Sequence, residues 1–462
     1  MMMPERDMPL RLAARDAANI YLETDASPAN IIDVYVFAPA VVEHAAVVEW
    51  LSERVAVLPI ARRRLQRAAA DIDYPAWVTD DTVDMRDQIT VEAVADWCDA
   101  RARIGSLVGT PMDLTRPPWD ATVMTGVRGI GDGIPDGATV VVLRFHHSVG
   151  DAVATAAFGR AVFTGNVEGL RASGQQTEMA GAVRLAFRLP CRAAQFARSI
   201  GRAMIVARRS ARAVARGEFA TPPATSPPSI FNRPLQGSPT VGLVHFDLTE
   251  VRDIGRMAGG TVNDAILTVV GGALAELLDE LGNPVDGSLG ALMPIAMNDA
   301  VQNANRFALG SVVLHSDERD PVERLRRVQT STASEKARQS HPALEQQRSL
   351  AQLVPAFITR RTGDRLRRRT EPVAKPGFGN TMVSNVPGGV SDGEFMGARI
   401  VDRFGVLTIC HGEALTHFVS SAGDRISLSF TVDSAIMPTL GRYEGLLRST
   451  FARLAAAVHA AA

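Results

Sequence analysis

Cysteine, lysine and long apolar runs are scarce in this chain, and each shortage excludes something. There are three cysteines, Cys98, Cys191 and Cys410, far apart and odd in number. They build no disulfide framework and suit a reducing compartment. Of 49 basic residues only Lys336 and Lys375 are lysine, which with abundant alanine reads as the coding bias of a GC-rich genome. No run of about eighteen apolar residues occurs, so no spanning helix is expected. The opening residues are charged and carry no apolar signal core. A formal net charge of -1 gives no global attraction to nucleic acid. Gly-x-Ser-x-Gly, P-loop and dinucleotide fingerprints are missing, which leaves nucleophilic-serine, nucleotide and nicotinamide chemistry unsupported. His-Glu-x-x-His and Cys-x-x-Cys are missing too, and Cys410, His411 and His417 make only a loose cluster. Neither a metal site nor a resident cofactor is expected.

What is present describes a mixed α/β protein. The 462 residues exceed one ordinary core and suit two domains. With 46% apolar residues and both charge signs dispersed, the chain is expected to be globular and ordered. Residues 30–39 read as a strand, and 121–127 with 138–145 as a hairpin across the Gly-rich stretch 129–137. Residues 41–58 have helical spacing. The clearest helix is 259–282, with Asn263 and Asp264 in its first turn, where amide and acid groups favour a helix N-terminus. Strands are expected at 240–248, 288–295 and 379–389, a Gly-Asp hairpin at 418–433, and helices over 320–369 and 439–460. Strands and helices alternate in both halves.

Two basic segments stand out. ArgArgArgLeuGlnArg, 62–67, reads as a solvated helix end or, more sharply, as an anionic-ligand contact. From Ala182 to Gly217 there are nine arginines and no acidic residue, and Pro190 is expected to split the segment into two helices. Such a basic amphipathic segment can lie on an anionic lipid surface. It can equally pack on the protein as a connector with its arginines reaching water. The Pro-rich stretch 221–229 is a stiff linker and the best boundary in the chain. The expected division is 1–175, a helical crossover over 176–235, and 236–462.

The chemistry is concentrated at 140–152, ValValValLeuArgPheHisHisSerValGlyAspAla. An apolar strand ends in His146 and His147, and Asp151 caps the helix that follows. A strand end of this kind points side chains into a cavity. The competing reading is a pair of histidines satisfied in the core. Adjacent histidines do not easily ligate one ion together.

HisHisSerValGlyAsp, 146–151, resembles the His-His-x-x-x-Asp-Gly signature of acyltransferases with the chloramphenicol-acetyltransferase-like fold. Further stretches resemble the bacterial wax ester synthase/diacylglycerol acyltransferase family: LeuGluThr at 22–24, ArgArgArgLeu at 62–65, TyrProAlaTrpVal at 74–78 and ArgProProTrp at 116–119. So do ValAsnAspAlaIleLeu at 262–267, AsnArgPhe at 305–307, SerAsnValProGly at 384–388 and the hairpin at 421–433. The matches run in order across nearly the whole chain. The resemblance implies two acyltransferase-like domains, with mixed sheets and flanking helices, and a channel between them. It implies that His147 is general base for attack of an acceptor hydroxyl on the thioester of acyl-CoA. His146 would support the turn, Asp151 would shape it, and Asn263 with Asp264 would serve the acceptor or channel wall. The implied substrates are a long-chain acyl-CoA and diacylglycerol or a fatty alcohol, handled in the cytoplasm at the plasma membrane or at lipid inclusions. A lipid-binding homologue without turnover and a condensation domain using carrier-protein thioesters are the alternatives. Position 152 is Ala where the family has Gly. A positive φ there costs about 1 kcal/mol or more, whereas a helical φ costs nothing. ProIleAlaMetAsn, 294–298, likewise departs from the family's more polar strand.

Overall fold

The computed structural model describes residues 9–461 except 69–70, 72, 132, 169, 171–174, 177–181, 218–225, 297–306, 352–353, 369–378 and 387–391. The first half runs β1 (Leu10–Arg11), α1 (Ala14–Leu22), β2 (Asn30–Phe37), α2 (His44–Val55), β3 (Arg63–Gln66), β4 (Ala76–Thr79), β5 (Ile89–Ala93), α3 (Trp97–Val108), β6 (Trp119–Val127), β7 (Ala138–His146), α4 (Ala152–Thr164), β8 (Gln175–Gln176) and α5 (Ala182–Ala215). The second runs β9 (Pro239–Asp247), α6 (Leu248–Met257), α7 (Val262–Glu280), β10 (Gly290–Ala296), β11 (Phe307–Val313), α8 (Pro321–Gln339), α9 (Pro342–Ala351), α10 (Ala356–Arg367), β12 (Thr381–Val386), β13 (Glu394–Phe395), β14 (Ala398–Leu407), β15 (Leu415–Ala422), β16 (Arg425–Asp433) and α11 (Leu440–Ala461).

Two six-stranded mixed sheets organise these elements, in the orders β13-β14-β2-β7-β6-β5 and β11-β10-β12-β15-β16-β9; a small sheet, β3-β4-β1-β8, flanks the first. Strand β7 is buried along its whole length. Its side chains alternate between two cores, as a strand covered on both faces must. Val141, Leu143 and Phe145 pack with Phe158 and Phe163 of α4, while Val140 and Val142 pack with Ile104 and Val108 of α3. The apolar run in the sequence is therefore an interior strand. The expected hairpin is there too: β6 and β7 pair antiparallel, with Gly129, Gly131, Gly133 and Gly137 at positive φ in the connection. In the second half, α7 is buried nearly all round and lies on the sheet beside α11.

The sheets do not respect the division of the chain at 236. Strands β13 and β14 come from the second half, yet β14 pairs antiparallel with β2 and completes the first sheet. Arg403 on β14 donates to Asp33 on β2 at 2.7 Å, and both are buried. On the neighbouring position Asp402 accepts from His245 of β9 at 2.7 Å and from Ser427 of β16 at 2.8 Å. Gly405 faces Phe418 so closely that a Cβ would lie 2.5 Å from the ring. One strand thus holds a sheet edge on one side and the partner sheet's face on the other.

Two local expectations need correction. Residues 63–66 are strand β3 and not a helix end. Arg63 is buried and donates to the Trp77 carbonyl at 3.2 Å, while Arg64 pairs with Asp80 at 2.9 Å, so these two arginines make structural pairings at a small sheet. Helix α5 runs through Pro190 without a break. Proline removes one backbone hydrogen bond, and the alanine, leucine and arginine on both sides are strong helix formers that carry the helix past it. Most of the expected linker 221–229 lies outside the described residues, as do residues 305–306 and 387–388. Among the described residues no single helix is long and apolar enough to cross a membrane.

The Asp33–Arg403 pair gives a direct test. Asp33→Ala leaves a buried guanidinium uncompensated, and urea unfolding is expected to register a loss of about 3–5 kcal/mol. The double replacement Asp33→Leu with Arg403→Met is expected to recover most of that loss. A single variant as stable as the parent would show that β14 is held by something else.

Candidate active site

Strand β7 ends at His146, which stands opposite Asn30 of β2. The chain then turns: Val149 N–H donates to the His146 carbonyl at 3.0 Å. Two contacts fix the backbone of His147. Its N–H donates to the Ala29 carbonyl at 2.7 Å, and its carbonyl accepts from Asn19 Nδ2 of α1 at 3.2 Å. The half-buried ring lies with its centroid 6.3 Å from that of Phe307, the first residue of β11. Arg15 of α1 covers the Phe307 ring at 4.7 Å and donates to its carbonyl. His147 therefore sits on the seam where α1 meets the second sheet. Beside it, Gly363 of α10 lies against the Tyr21 carbonyl, with no room for a Cβ, and Arg367 donates to the carbonyls of Tyr21 and Glu23 at 3.0 Å each.

His146 points the other way and is fully buried. Its Nδ1 is 2.6 Å from Ser148 Oγ and accepts from the Ser148 N–H at 3.2 Å. Its Nε2 faces Glu23 Oε2 at 3.4 Å. The other Glu23 oxygen accepts from Ala29 N–H at 2.9 Å. Asn30 reaches back to the C-terminal end of α3, donating to the carbonyls of Leu107, Val108 and Thr110 at 3.1, 3.1 and 2.8 Å. Asp151 caps α4: its Oδ1 accepts from the N–H groups of Val153 and Ala154, both at 3.1 Å. Ala152 is the first residue of that helix and is not among the positive-φ residues, so alanine carries no backbone penalty there.

Asn263 and Asp264 have separate surroundings. Asp264 is buried in a capping box with Thr261, one oxygen accepting from Thr261 N–H and Oγ and the other from Thr332 Oγ at 2.6 Å. That commits its carboxylate to the start of α7. Asn263 Nδ2 lies 3.2 Å from Met293 Sδ on β10. The loose cluster in the C-terminal half also comes apart. His411 accepts from Leu235 N–H at 2.9 Å, and Cys410 lies 3.8 Å from Glu413. His417 is sealed in the core between Thr381 Oγ at 2.9 Å and Tyr443 Oη at 2.8 Å. A separate polar cleft of about 260 Å³ includes Arg103, Arg116 and Arg144 and does not include His147. Its arginines already pair with Glu92, the Asp87 carbonyl and Asp120.

The residues that sequence reading left without a role are Asn19, Glu23, Ser148 and Phe307. Glu23 and Phe307 each belong to a quoted family stretch, LeuGluThr and AsnArgPhe, and that was the available signal. Nothing local in the sequence marks Asn19, because its use depends on where α1 docks.

The wax ester synthase/diacylglycerol acyltransferase catalytic domain matches residues 12–266, and the C-terminal domain of the same family matches 303–454. The chain belongs to this family of acyltransferases. A Mycobacterium tuberculosis H37Rv protein named "Putative diacyglycerol O-acyltransferase" is 26% identical, covering 98% of each chain. The solved wax ester synthase/diacylglycerol acyltransferase of Marinobacter aquaeolei VT8 superposes with a TM-score of 0.66 at 18% identity, over 97% of this chain and 100% of that one. A variant starter condensation domain of rhizomide synthetase, bound to C8-CoA and Leu-SNAC, has a TM-score of 0.51 at 13% identity, over 98% and 95%. The fold is thus that of the two-domain acyltransferases, as the sequence resemblance implied.

Burial pushes the His417 imidazole down to about 3. A base depressed in the folded state binds its proton only on unfolding, so the unfolded chain takes up protons first as pH falls. Stability is expected to fall between pH about 6.5 and about 3, by up to about 1.4 kcal/mol per pH unit from this group. His417→Gln is expected to flatten that part of a denaturation-midpoint profile. An unchanged slope would contradict the assignment.

Proposed function

We propose that the protein is an acyl-CoA-dependent O-acyltransferase that moves a long-chain acyl group to diacylglycerol or a long-chain alcohol, with His147 as general base. The observation that carries this reading is the placement of His147. It is the half-buried histidine of the pair, clamped by Ala29 and Asn19 at the seam of the two halves, with Phe307 of the second sheet beside its ring. The family membership and the C8-CoA ligand of the rhizomide synthetase domain support the substrate class. In this scheme Nε2 takes the proton of the acceptor hydroxyl as its oxygen attacks the thioester carbonyl. The C–S bond breaks, the CoA thiolate leaves, and the proton returns to it. No acyl-enzyme forms. Neutral imidazole suits this work near pH 7, and a positioned base contributes about 10²–10⁴-fold. Ala152 within a helix removes one of the two departures that would favour a homologue without turnover.

The expected result is CoA release from palmitoyl-CoA that depends on added acceptor. His147→Ala is expected to lower kcat by about 10²–10⁴-fold with an unchanged melting temperature. Release at the parent rate by that variant would contradict the scheme.

The same reading brings the enzyme to a lipid surface on the cytoplasmic side, at the plasma membrane or at lipid inclusions, through helix α5. Val206 and Ala213 of α5 turn inward, whereas Ile200 and Met204, one turn apart, are about half exposed beside Arg208. An exposed apolar pair flanked by arginines and no acid favours an anionic bilayer. Flotation with phosphatidylglycerol vesicles is expected to carry the parent protein. It is expected to leave behind a variant with Arg198, Arg202, Arg208 and Arg209 changed to Gln. Equal flotation would remove the docking role.

A further inference from the structure

We propose that Glu23 is the positioning residue for His147, acting on both of its flanks at once; this rests on the reading of His147 as base. Oε1 accepts from Ala29 N–H at 2.9 Å, and the carbonyl of that same residue accepts the His147 N–H at 2.7 Å. Oε2 faces Nε2 of His146 at 3.4 Å, the ring immediately before His147 in the chain. The carboxylate therefore holds the strand edge on which His147 is hung and the side chain that anchors the turn.

The argument for a carboxylate is one of donors and acceptors. Nδ1 of His146 accepts the Ser148 N–H at 3.2 Å, so the neutral ring carries its proton on Nε2. Both groups that face Glu23, Ala29 N–H and His146 Nε2–H, are then donors. A carboxylate turns an acceptor oxygen toward each: one is hydrogen-bonded to Ala29 N–H, and the other stands 3.4 Å from Nε2, an electrostatic contact longer than a hydrogen bond. An amide offers one oxygen and turns an NH₂ group toward one of the two donors, whichever way it is flipped. Glutamine has the same shape and still fails. Aspartate is one methylene shorter but keeps both acceptors.

The position of Glu23 is itself set from the second half. It follows the last residue of α1, and Arg367 of α10 donates to the carbonyls of Tyr21 and Glu23 at 3.0 Å each. Carbonyls at a helix C-terminus lack intrahelical donors, and an arginine satisfies them. Docking of α10 thus fixes the α1 terminus, which fixes Glu23, which fixes the turn carrying His147. Through this chain of contacts, closure of the two halves sets the geometry of the base. A displacement of about 1 Å at a base can cost on the order of a hundredfold in rate.

The test compares Glu23→Asp, Glu23→Gln and Glu23→Ala in the full chain. Steady-state kinetics with palmitoyl-CoA and a diacylglycerol acceptor are expected to rank kcat as parent, then Asp, then Gln. Gln is expected to fall on the order of tenfold to a hundredfold, with KM for acyl-CoA within about twofold of the parent. In the substrate-free protein, ¹⁵N-histidine spectra are expected to show His146 protonated on Nε2 in the parent and in Glu23→Asp. Glu23→Gln is expected to lose that tautomer. Gln matching the parent in kcat overturns the proposal, as does a kcat loss with the His146 tautomer unchanged. Should Glu23→Gln not fold, the same comparison is made between Asp and Ala. A parent protein that transfers no acyl group overturns the proposed reaction instead, and the substrate-free spectra still decide the positioning role.

Discussion

Strand β14 is the constraint on which the rest of the structure depends. It is delivered by the second half of the chain and spent on the sheet of the first. Its Arg403 meets Asp33 across the shared edge, and its Asp402 meets His245 and Ser427 of the other sheet. A buried ion pair is costly to desolvate and is worth most when its geometry is met by fixed partners. Here the geometry exists only when β14 lies in one register, so the pair specifies how the halves sit. The sheets cannot separate without exposing those charges and the face around Gly405 and Phe418. The seam that carries His147 is one consequence of that register.

Three buried or half-buried histidines then divide the work by environment. His417 is kept neutral by burial in the second core, where Thr381 and Tyr443 hold its ring. His146 is buried between Ser148 and Glu23 and serves as an anchor. His147 alone of the three has its ring at the junction of the halves, beside Phe307. A turn that sends two adjacent side chains in opposite directions separates an anchor from a base. The strand supplies rigidity up to His146, and the α4 cap by Asp151 supplies it again from Ala152 onward. The short stretch between them is held by the Ala29 carbonyl and by Asn19 of α1, with Glu23, just past the end of α1, facing His146.

Much of this was legible in the sequence for identifiable reasons. Apolar runs such as 140–145 have one solution in a mixed fold, an interior strand, and the Gly-rich stretch 129–137 fixed its hairpin partner. Asn263 and Asp264 ahead of a long apolar run announced the start of a helix. What the sequence hid was non-local. Periodicity does not say that 398–407 joins a strand more than 360 residues earlier, because parallel and antiparallel edges look alike to the strand that joins them. It does not say that Asp264 spends its carboxylate on Thr261 and Thr332, since an acid in a first turn reads the same whether it caps or binds. Arg63 and Arg64 looked like part of a solvated run because their partners, Trp77 and Asp80, lie across a turn. Pro190 was read as a break, whereas its neighbours carry α5 across it.

The central claim is that the acyl group passes directly from CoA to an acceptor oxygen deprotonated by His147. A single-turnover experiment with acyl-labelled palmitoyl-CoA and diacylglycerol, stopped with acid and split into protein and lipid fractions, tests it most directly. The account predicts that label leaves CoA and appears in triacylglycerol at one common rate, with none retained by the protein. Label held by the denatured protein, or triacylglycerol formed at the same rate by His147→Ala, would contradict it.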